Sequence, residues 1–166
     1  TGRVANVSPW PVSSYGQDPR KARYRTTWIT PIALSPRKPH AVYWGTQFLF
    51  RSTDKGWTWE KSSPDLTAAV ANAKDCDVPV LPVARATACG LGVIFAITPS
   101  PAADGLVWVG TDNGRVQVTR DDGKTWTNVT PKDLPEWSLI SQIDASPHDP
   151  ATAYLAVDRH ELDAGV

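Results

Sequence analysis

The sequence predicts an all-β fold made of repeated four-stranded units. Three observations predict it: a motif that occurs twice, strand-like segments that follow the same order around each copy, and a composition rich in tryptophan and proline. Eight Trp and fifteen Pro among 166 residues, with turn signals at regular intervals between short apolar runs, favour strands over long helices.

Two turn motifs organise the chain. Residues 52–59, the first turn motif, and residues 119–126, the second turn motif, both read Ser/Thr-x-Asp-x-Gly-x-Ser/Thr-Trp. An Asp in such a turn accepts hydrogen bonds from nearby backbone N–H groups, and the Gly supplies a positive φ at no steric cost. The hydroxyls bond locally, and the closing Trp brings a large apolar surface to the next strand. The defined positions are Ser52, Asp54, Gly56, Thr58 and Trp59 in the first motif and Thr119, Asp121, Gly123, Thr125 and Trp126 in the second.

These motifs resemble the Asp box, or BNR repeat, of sialidase-type, xyloglucanase-type and sortilin-type β-propellers. Residues 49–54 and 108–112 look especially similar to large bacterial BNR-repeat proteins that are described as glycosyl hydrolases or sortilin-like. The resemblance implies that each motif joins the third and fourth strands of a propeller blade. It also implies that the Asp is a structural staple set away from the functional face. It covers roughly residues 28–157, apart from an insertion.

The segments around the first motif predict a first blade at residues 28–65, after an irregular N-terminal segment at 1–27. Apolar residues in short runs, with Phe48 and Phe50 on one face, indicate strands separated by a proline-rich turn. The basic residues near the end of the N-terminal segment are expected to be a solvated linker, with a recognition patch as the alternative. The predicted strands are 28–34, 41–46, 48–51 and 57–61.

The same order of segments predicts a second blade at 92–135 and part of a third at 136–166. Asn113-Gly114 is a strong hairpin signal between the second and third strands of the second blade. The third repeat supplies two strands and a tail, without a third turn motif. The predicted strands are 92–97, 106–111, 115–119, 139–145 and 153–157, with a further strand beginning at Trp126.

The distance between the two motifs exceeds the about 40–50 residues of one propeller blade, which predicts an inserted loop at 66–91. Residues 68–73 are expected to form a short helix within it. The loop holds both cysteines, Cys76 and Cys89. A disulfide between them would contribute about 3 kcal/mol by the loop-entropy estimate, and the alternative is two free thiols.

Composition sets limits on the partners. Lys plus Arg equals Asp plus Glu, so no net charge attracts nucleic acid or an anionic membrane, and no partner of either kind is predicted. No metal-ligand spacing or phosphate-binding loop is present, so neither a metal nor a cofactor is predicted. The compartment is left open, with an extracytoplasmic one favoured by the family resemblance and by a disulfide.

Few residues stand out as chemical candidates. A glycosidase needs two carboxylates about 5–5.5 Å or about 6.5–9.5 Å apart, and Asp65 and Asp144 are weak candidates outside the motifs. Exposed tryptophans can stack on sugar rings. Trp10, Trp57 and Trp137 are the least tied to the repeat pattern, although packing between blades would explain each of them as well.

The sequence thus predicts a binding or scaffold module whose ligand is a carbohydrate or a protein. One alternative is a part of a glycoside hydrolase that needs further blades, and another is a truncated gene piece without selected activity. Propellers usually have about four to eight blades, and two and a half repeats cannot close a ring. The chain is therefore expected to be part of a larger propeller or to form a homo-oligomer.

Overall fold

The computed structural model describes residues 2, 4–12, 16 and 22–160. Within this part the chain is all-β, as predicted, and its strands form three antiparallel sheets. Residues 1, 3, 13–15 and 17–21 of the predicted N-terminal segment, and 161–166 of the predicted tail, lie outside it. The elements are β1 (Ile32–Leu34), β2 (Val42–Gly45), β3 (Leu49–Ser52), β4 (Glu60–Lys61), α1 (Val83–Ala86), β5 (Ile94–Pro99), β6 (Val107–Thr111), β7 (Val116–Thr119), β8 (Thr127–Asn128), β9 (Leu139–Ala145) and β10 (Ala153–Asp158).

Each sheet is a meander in which consecutive strands pair. Sheet 1 has the order β1-β2-β3-β4, sheet 2 the order β5-β6-β7-β8, and sheet 3 pairs β9 with β10. The first two strands have the same register in all three sheets, because Leu34 pairs with Val42, Pro99 with Val107 and Ala145 with Ala153. Strand β1 is shorter than the predicted 28–34, since pairing covers only its last three residues.

The sheets stack face to face in chain order. Strand β6 of sheet 2 is buried along its whole length, so both faces of that sheet are covered. Alternate residues of a strand point to opposite faces. Val107 and Val109 accordingly join a core cluster with Tyr43 of sheet 1. Trp108 joins a second cluster with Ile140 of sheet 3. Sheet 2 therefore lies between the other two.

Glycine at the end of the second strand permits this close stacking. A β-carbon placed on Gly110 would lie 2.4 Å from Cγ2 of Ile140, in the first strand of sheet 3. A β-carbon on Gly45 would lie 2.9 Å from Cγ2 of Ile94, in the first strand of sheet 2. Both distances are far below van der Waals contact, so the missing side chain provides the space that the following sheet occupies.

The two turn motifs have the same hydrogen bonds. Thr58 donates to Asp54 Oδ1 through its backbone N–H at 2.9 Å and to Oδ2 through its hydroxyl at 2.6 Å. Thr125 makes the same two bonds to Asp121, also at 2.9 and 2.6 Å. These bonds, the hydroxyl bond first among them, lower the pKa of both Asp54 and Asp121 to about 2. Both carboxylates are thus held as acceptors within their own turns.

The closing tryptophan of each motif donates a hydrogen bond to the chain segment that precedes its sheet. Trp126 Nε1–H donates to the backbone carbonyl of Ser62, which follows the outer strand of sheet 1, at 3.0 Å. Trp59 Nε1–H donates to the carbonyl of Val7 in the N-terminal segment at 2.7 Å. Each motif therefore links its own sheet to the chain segment that precedes that sheet in the stack.

The inserted loop is fixed by a covalent bond and an ion pair. Cys76 and Cys89 form a disulfide, with Cα atoms 5.5 Å apart. The side chain of Arg25 is nearly buried. Its Nη2 lies 2.8 Å from Oδ2 of Asp65, just before the loop, and donates to the hydroxyl of Thr67 within the loop at 3.1 Å. The helix expected at 68–73 is wrong, because positive φ angles at Ala68 (62°) and Asn72 (56°) interrupt any helical turn.

Candidate functional site

A cavity of about 300 Å³ lies where the three units meet, and we call it the loop-end cavity. Its lining residues lie near the start of the first strand or the end of the second strand of a sheet. The cavity is lined by Thr27, Phe95, Asp112, Trp137, Leu139, Asp158, Arg159 and His160.

The cavity and the turn motifs lie at opposite ends of the strands. In an antiparallel meander the turn between the second and third strands lies at one end, and the turn between the third and fourth lies at the other. Asp112 follows β6 and Asp158 ends β10, which places both at the end of the second strand. The turn motifs join β3 to β4 and β7 to β8. The residues that fix the fold are therefore separated from those that line the cavity.

Asp112 is held by the backbone that leads into β5. Its Oδ1 accepts the N–H of Val93 at 2.8 Å, and its own N–H donates to the Val93 carbonyl at 3.1 Å. Burial raises the pKa of Asp112 to about 6, and the bond from Val93 and the charge of Arg25 oppose this rise without cancelling it. Burial therefore disfavours the charged form of this carboxyl.

Trp137 enters the cavity from a strained backbone position. Its φ is 60°, which is uncommon for a bulky residue. The backbone N–H of Trp137 donates to the backbone carbonyl of Asn113 at 3.1 Å. The side chain of Asn113 is fully buried and donates to the carbonyl of Thr67 at 2.8 Å. The tight turn after β6 therefore determines where the indole lies.

The indole nitrogen of Trp137 is buried, and among the described residues it has no hydrogen-bond partner. A buried N–H donor without an acceptor costs about 1–3 kcal/mol. The side chain that carries this atom lines the loop-end cavity.

Asp158 and His160 form a second polar group in the cavity. Asp158 Oδ1 accepts the backbone N–H of His160 at 2.9 Å and lies 2.7 Å from Nδ1 of its ring. The backbone bond first, and then the ring bond, lower the pKa of Asp158. Asp158 is therefore ionised across the range in which Asp112 titrates.

Asp112 and Asp158 occupy the same position in two successive units. Asp112 lies five residues after Val107, the first residue of β6, and Asp158 lies five residues after Ala153, the first residue of β10. In sheet 1 this position is Gln47, whose Oε1 instead accepts the N–H of Arg25 at 2.8 Å. Sequence reasoning missed the pair as a site, although alignment of the repeats would have shown two carboxylates at one position.

The two carboxylates named from sequence do not come together. Asp65 accepts hydrogen bonds from Thr67, at 2.9 Å from its N–H and 2.6 Å from its hydroxyl, and pairs with Arg25. Asp144 lies on β9 opposite Tyr154, on the exposed face of sheet 3. Neither lines the loop-end cavity. The structure thus gives Asp65 a role in anchoring the loop and places Asp144 on an outer surface.

The three tryptophans named as stacking candidates have different surroundings. Trp137 lines the cavity. Trp10 packs edge-on against Tyr24, with ring centroids 5.0 Å apart, and the guanidinium of Arg23 lies 5.1 Å from its ring. Trp57 is exposed in the first turn motif, at the opposite end of the strands. Of the three, Trp137 is the one that lines the loop-end cavity.

Comparisons with protein-family models, with curated proteins and with solved structures found no match. In the described part of the chain, no group of three His, Cys, Asp or Glu side chains is arranged to hold a metal ion. Across the same residues, no helix has both the length and the apolar character needed to span a membrane.

The loop-end cavity combines an aromatic wall with polar groups at its margin. Phe95 and Trp137 offer ring faces, and the carboxylates of Asp112 and Asp158 accept hydrogen bonds. Its volume is at the lower end of the about 300–1,000 Å³ of ligand pockets. This arrangement suits a small molecule with an apolar ring face and hydroxyl groups around its edge.

Proposed function

We propose that the chain is a ligand-binding module built from propeller blades of the Asp-box type, and that its loop-end cavity binds a carbohydrate. The observation that carries the proposal is the indole of Trp137. It lines the cavity beside two carboxylates, and its buried N–H lacks a partner within the described residues.

The stacking of the sheets supports the assignment to propeller blades. Blades are four-stranded antiparallel meanders arranged around an axis, with ligand sites at one end. Sheets 1 and 2 are such meanders, they stack in chain order, and a turn motif links each to the segment before it. The cavity lies at the end of the strands away from these motifs, as expected for the functional face of an Asp-box protein.

A sugar ring matches the chemistry of the cavity. Its C–H face can lie against the rings of Trp137 and Phe95, and its hydroxyls can donate to Asp112 and Asp158. A ring or exocyclic oxygen can accept the unpartnered indole N–H. A purely apolar ligand would leave the indole N–H of Trp137 without an acceptor, which disfavours it.

We expect Trp137→Ala to weaken carbohydrate binding at least tenfold, since about 1.4 kcal/mol of lost aromatic contact corresponds to that factor. The measurement is a glycan array to find the ligand, followed by titration with detection of tryptophan fluorescence. Trp57→Ala is the matched control, because that ring is exposed at the opposite end of the strands. Equal losses in the two variants, or none in Trp137→Ala, would contradict the assignment of the site.

A second candidate function, glycoside hydrolysis, is favoured by one specific observation. The pKa values of the two carboxylates in the cavity are moved apart, to about 6 for Asp112 and downward for Asp158. Such pairs divide the roles of proton donor and ionised partner in glycosidases.

Hydrolysis of aryl glycosides tests this second candidate. An enzyme of this kind would lose activity above about pH 6, as Asp112 ionises, and would be inactive as either Asp112→Asn or Asp158→Asn. Glycan binding without hydrolysis would leave the binding module as the function. Neither binding nor hydrolysis by the folded chain would favour a gene piece without selected activity.

A further inference from the structure

The second strand of each of the three sheets has an aromatic residue at the same register position, its second residue. Tyr43 pairs with Ala33, Trp108 with Thr98 and Tyr154 with Asp144. Tyr43 is 3% exposed and Trp108 is 7% exposed, because the following sheet covers each of them. Tyr154 is 68% exposed. The open face of sheet 3 thus has the residue that is buried at both internal interfaces.

The opposite face of the stack shows the complementary pattern. In sheet 3, Ile143 and Ala145 of the first strand are each 4% exposed, because they pack against sheet 2. Their counterparts in sheet 1 are Ile32 and Leu34, which are 66% and 70% exposed. Sheet 1 therefore presents an apolar strand at the place where the other units contact a preceding sheet.

The N-terminal segment marks where that preceding sheet belongs. Trp59 bonds the carbonyl of Val7 just as Trp126 bonds that of Ser62, at the end of the outer strand of sheet 1. Gly56 faces Val7, and its counterpart Gly123 faces Ser62. Val7 thus takes the position that the end of an outer strand takes in the internal interface.

Sequence and local hydrogen bonds support this equivalence. Residues 6–9 read Asn-Val-Ser-Pro, and residues 128–131, which end the outer strand of sheet 2, read Asn-Val-Thr-Pro. Ser8 N–H donates to Asn6 Oδ1 at 3.0 Å, and Thr130 N–H donates to Asn128 Oδ1 at 2.9 Å. Residues 6–9 are therefore a third copy of the outer-strand end.

The other two copies show what such a segment normally pairs with. Val129 N–H donates to the carbonyl of Val116 at 2.9 Å, and Val116 N–H donates to the hydroxyl of Thr130 at 2.9 Å. In the described part of the structure, the N–H of Val7 makes no such backbone bond. An outer-strand end is thus in place, without the inner strands of its sheet.

We propose that a second copy of this chain docks head to tail on sheet 1. The face of its sheet 3 that carries Tyr154 packs on the face that carries Ile32 and Leu34, beside residues 6–9. The choice of a second copy rests on continuity with the internal interfaces, since the two open faces are the two sides of that same interface. The inference rests on the blade architecture of the proposed function and is independent of its ligand.

The geometry restricts the assembly that results. A head-to-tail contact either closes into a ring or continues as a filament. Each chain has two four-stranded sheets and the two-stranded sheet 3, so two copies bring six sheets together. Known propellers have about four to eight blades.

The test is the mass in solution of the 166-residue chain by light scattering, with two variants at the two faces. The wild-type chain of 18.1 kDa is expected at twice that mass or more, and Ile32→Asp and Tyr154→Asp each at the mass of one chain. An equimolar mixture of the two variants is expected to give dimers, because each retains the face that the other lacks. Val80→Asp, at an exposed position in the inserted loop, is the control that leaves the mass unchanged.

Three outcomes would overturn the proposal. They are a wild-type mass of one chain at micromolar concentration, a variant mass equal to that of the wild type, or a variant mixture that stays monomeric. Circular dichroism shows whether the variants are folded, and the exposure of Ile32 and Tyr154 leads us to expect that they are. A monomer that still binds a glycan would refute the docking and leave the proposed ligand function standing.

Discussion

Gly123→Ala is expected to destabilise the chain by about 2–5 kcal/mol, the largest effect of any single substitution considered for the turn motifs. The φ of Gly123 is 93°, so an alanine there costs about 1–2 kcal/mol of backbone strain. A β-carbon would also lie 2.2 Å from the carbonyl oxygen of Ser62, and such overpacking costs about 1–3 kcal/mol more. The measurement is urea unfolding of both forms, compared at an unchanged m-value.

The first turn motif provides a matched control for this prediction. Gly56 has nearly the same φ, 90°, but the nearest atoms to a β-carbon there are 3.2 Å away on the side chain of Val7. Gly56→Ala is therefore expected to cost only the strain, about 1–2 kcal/mol. Equal losses in the two variants would show that sheet 1 does not approach the second turn motif as closely as the structure indicates.

Asp112→Asn is expected to stabilise the chain at pH 7 by about 2–3 kcal/mol. The pKa of this carboxyl is raised from 3.8 to about 6 by burial, and one pKa unit corresponds to about 1.4 kcal/mol. Because the folded-state pKa is raised, the folded state binds the proton more tightly than the unfolded state. The stability of the wild type is thus complete below about pH 4 and is lost as pH rises through about 6.

Asparagine at this position remains neutral and retains an acceptor for the N–H of Val93. The gain in stability is therefore expected to vanish near pH 4 and to be full above pH 6, as measured by urea unfolding across this range. Asp133→Asn, at an exposed site outside the cavity, is the control for the change of charge. A gain that is the same at pH 4 and pH 7 would contradict the buried carboxylate as its cause.

If Asp112→Asn stabilises the chain, the aspartate at this position lowers the stability of the wild type near neutral pH. A carboxylate that weakens the fold near neutral pH has a cost that a purely structural residue would not have. Asp112 lines the loop-end cavity. Under the proposed function it would accept hydrogen bonds from ligand hydroxyls there.

The strands could be predicted from the sequence because the turn motif and the apolar segments around it occur twice in the same order. The turn motifs predict the hairpins that contain Asp54 and Asp121, and these form the same hydrogen bonds. Strand β6 is buried on both of its faces. Its sequence alone does not show this, because burial of the second face depends on the neighbouring sheets. The helix expected at 68–73 fails because the N–H of Val70 donates to the distant carbonyl of Ala88 at 3.0 Å, and Ala68 and Asn72 have positive φ angles.

The site could not be predicted to the same degree. Asp112, Trp137 and Asp158 come from three turns that the sequence separates and the stacking of sheets brings together. Residue type and position along the chain favour Asp65 and Asp144 over Asp112, in a hairpin, and Asp158, near the chain end, but neither property reveals whether two carboxylates converge. Repeat alignment would have identified Asp112 and Asp158 as equivalent, but the partnerless indole nitrogen of Trp137 depends on packing that only coordinates show.

Hydrogen exchange of the indole N–H groups tests the central claim, that the turn-motif tryptophans link neighbouring elements of a stack. In ¹⁵N-labelled protein, slow exchange is expected for Trp126 and Trp59, which donate at 3.0 and 2.7 Å to the carbonyls of Ser62 and Val7. Fast exchange is expected for Trp57, which is exposed within the first turn motif. Exchange of Trp126 and Trp59 as fast as that of Trp57 would contradict the stacked arrangement.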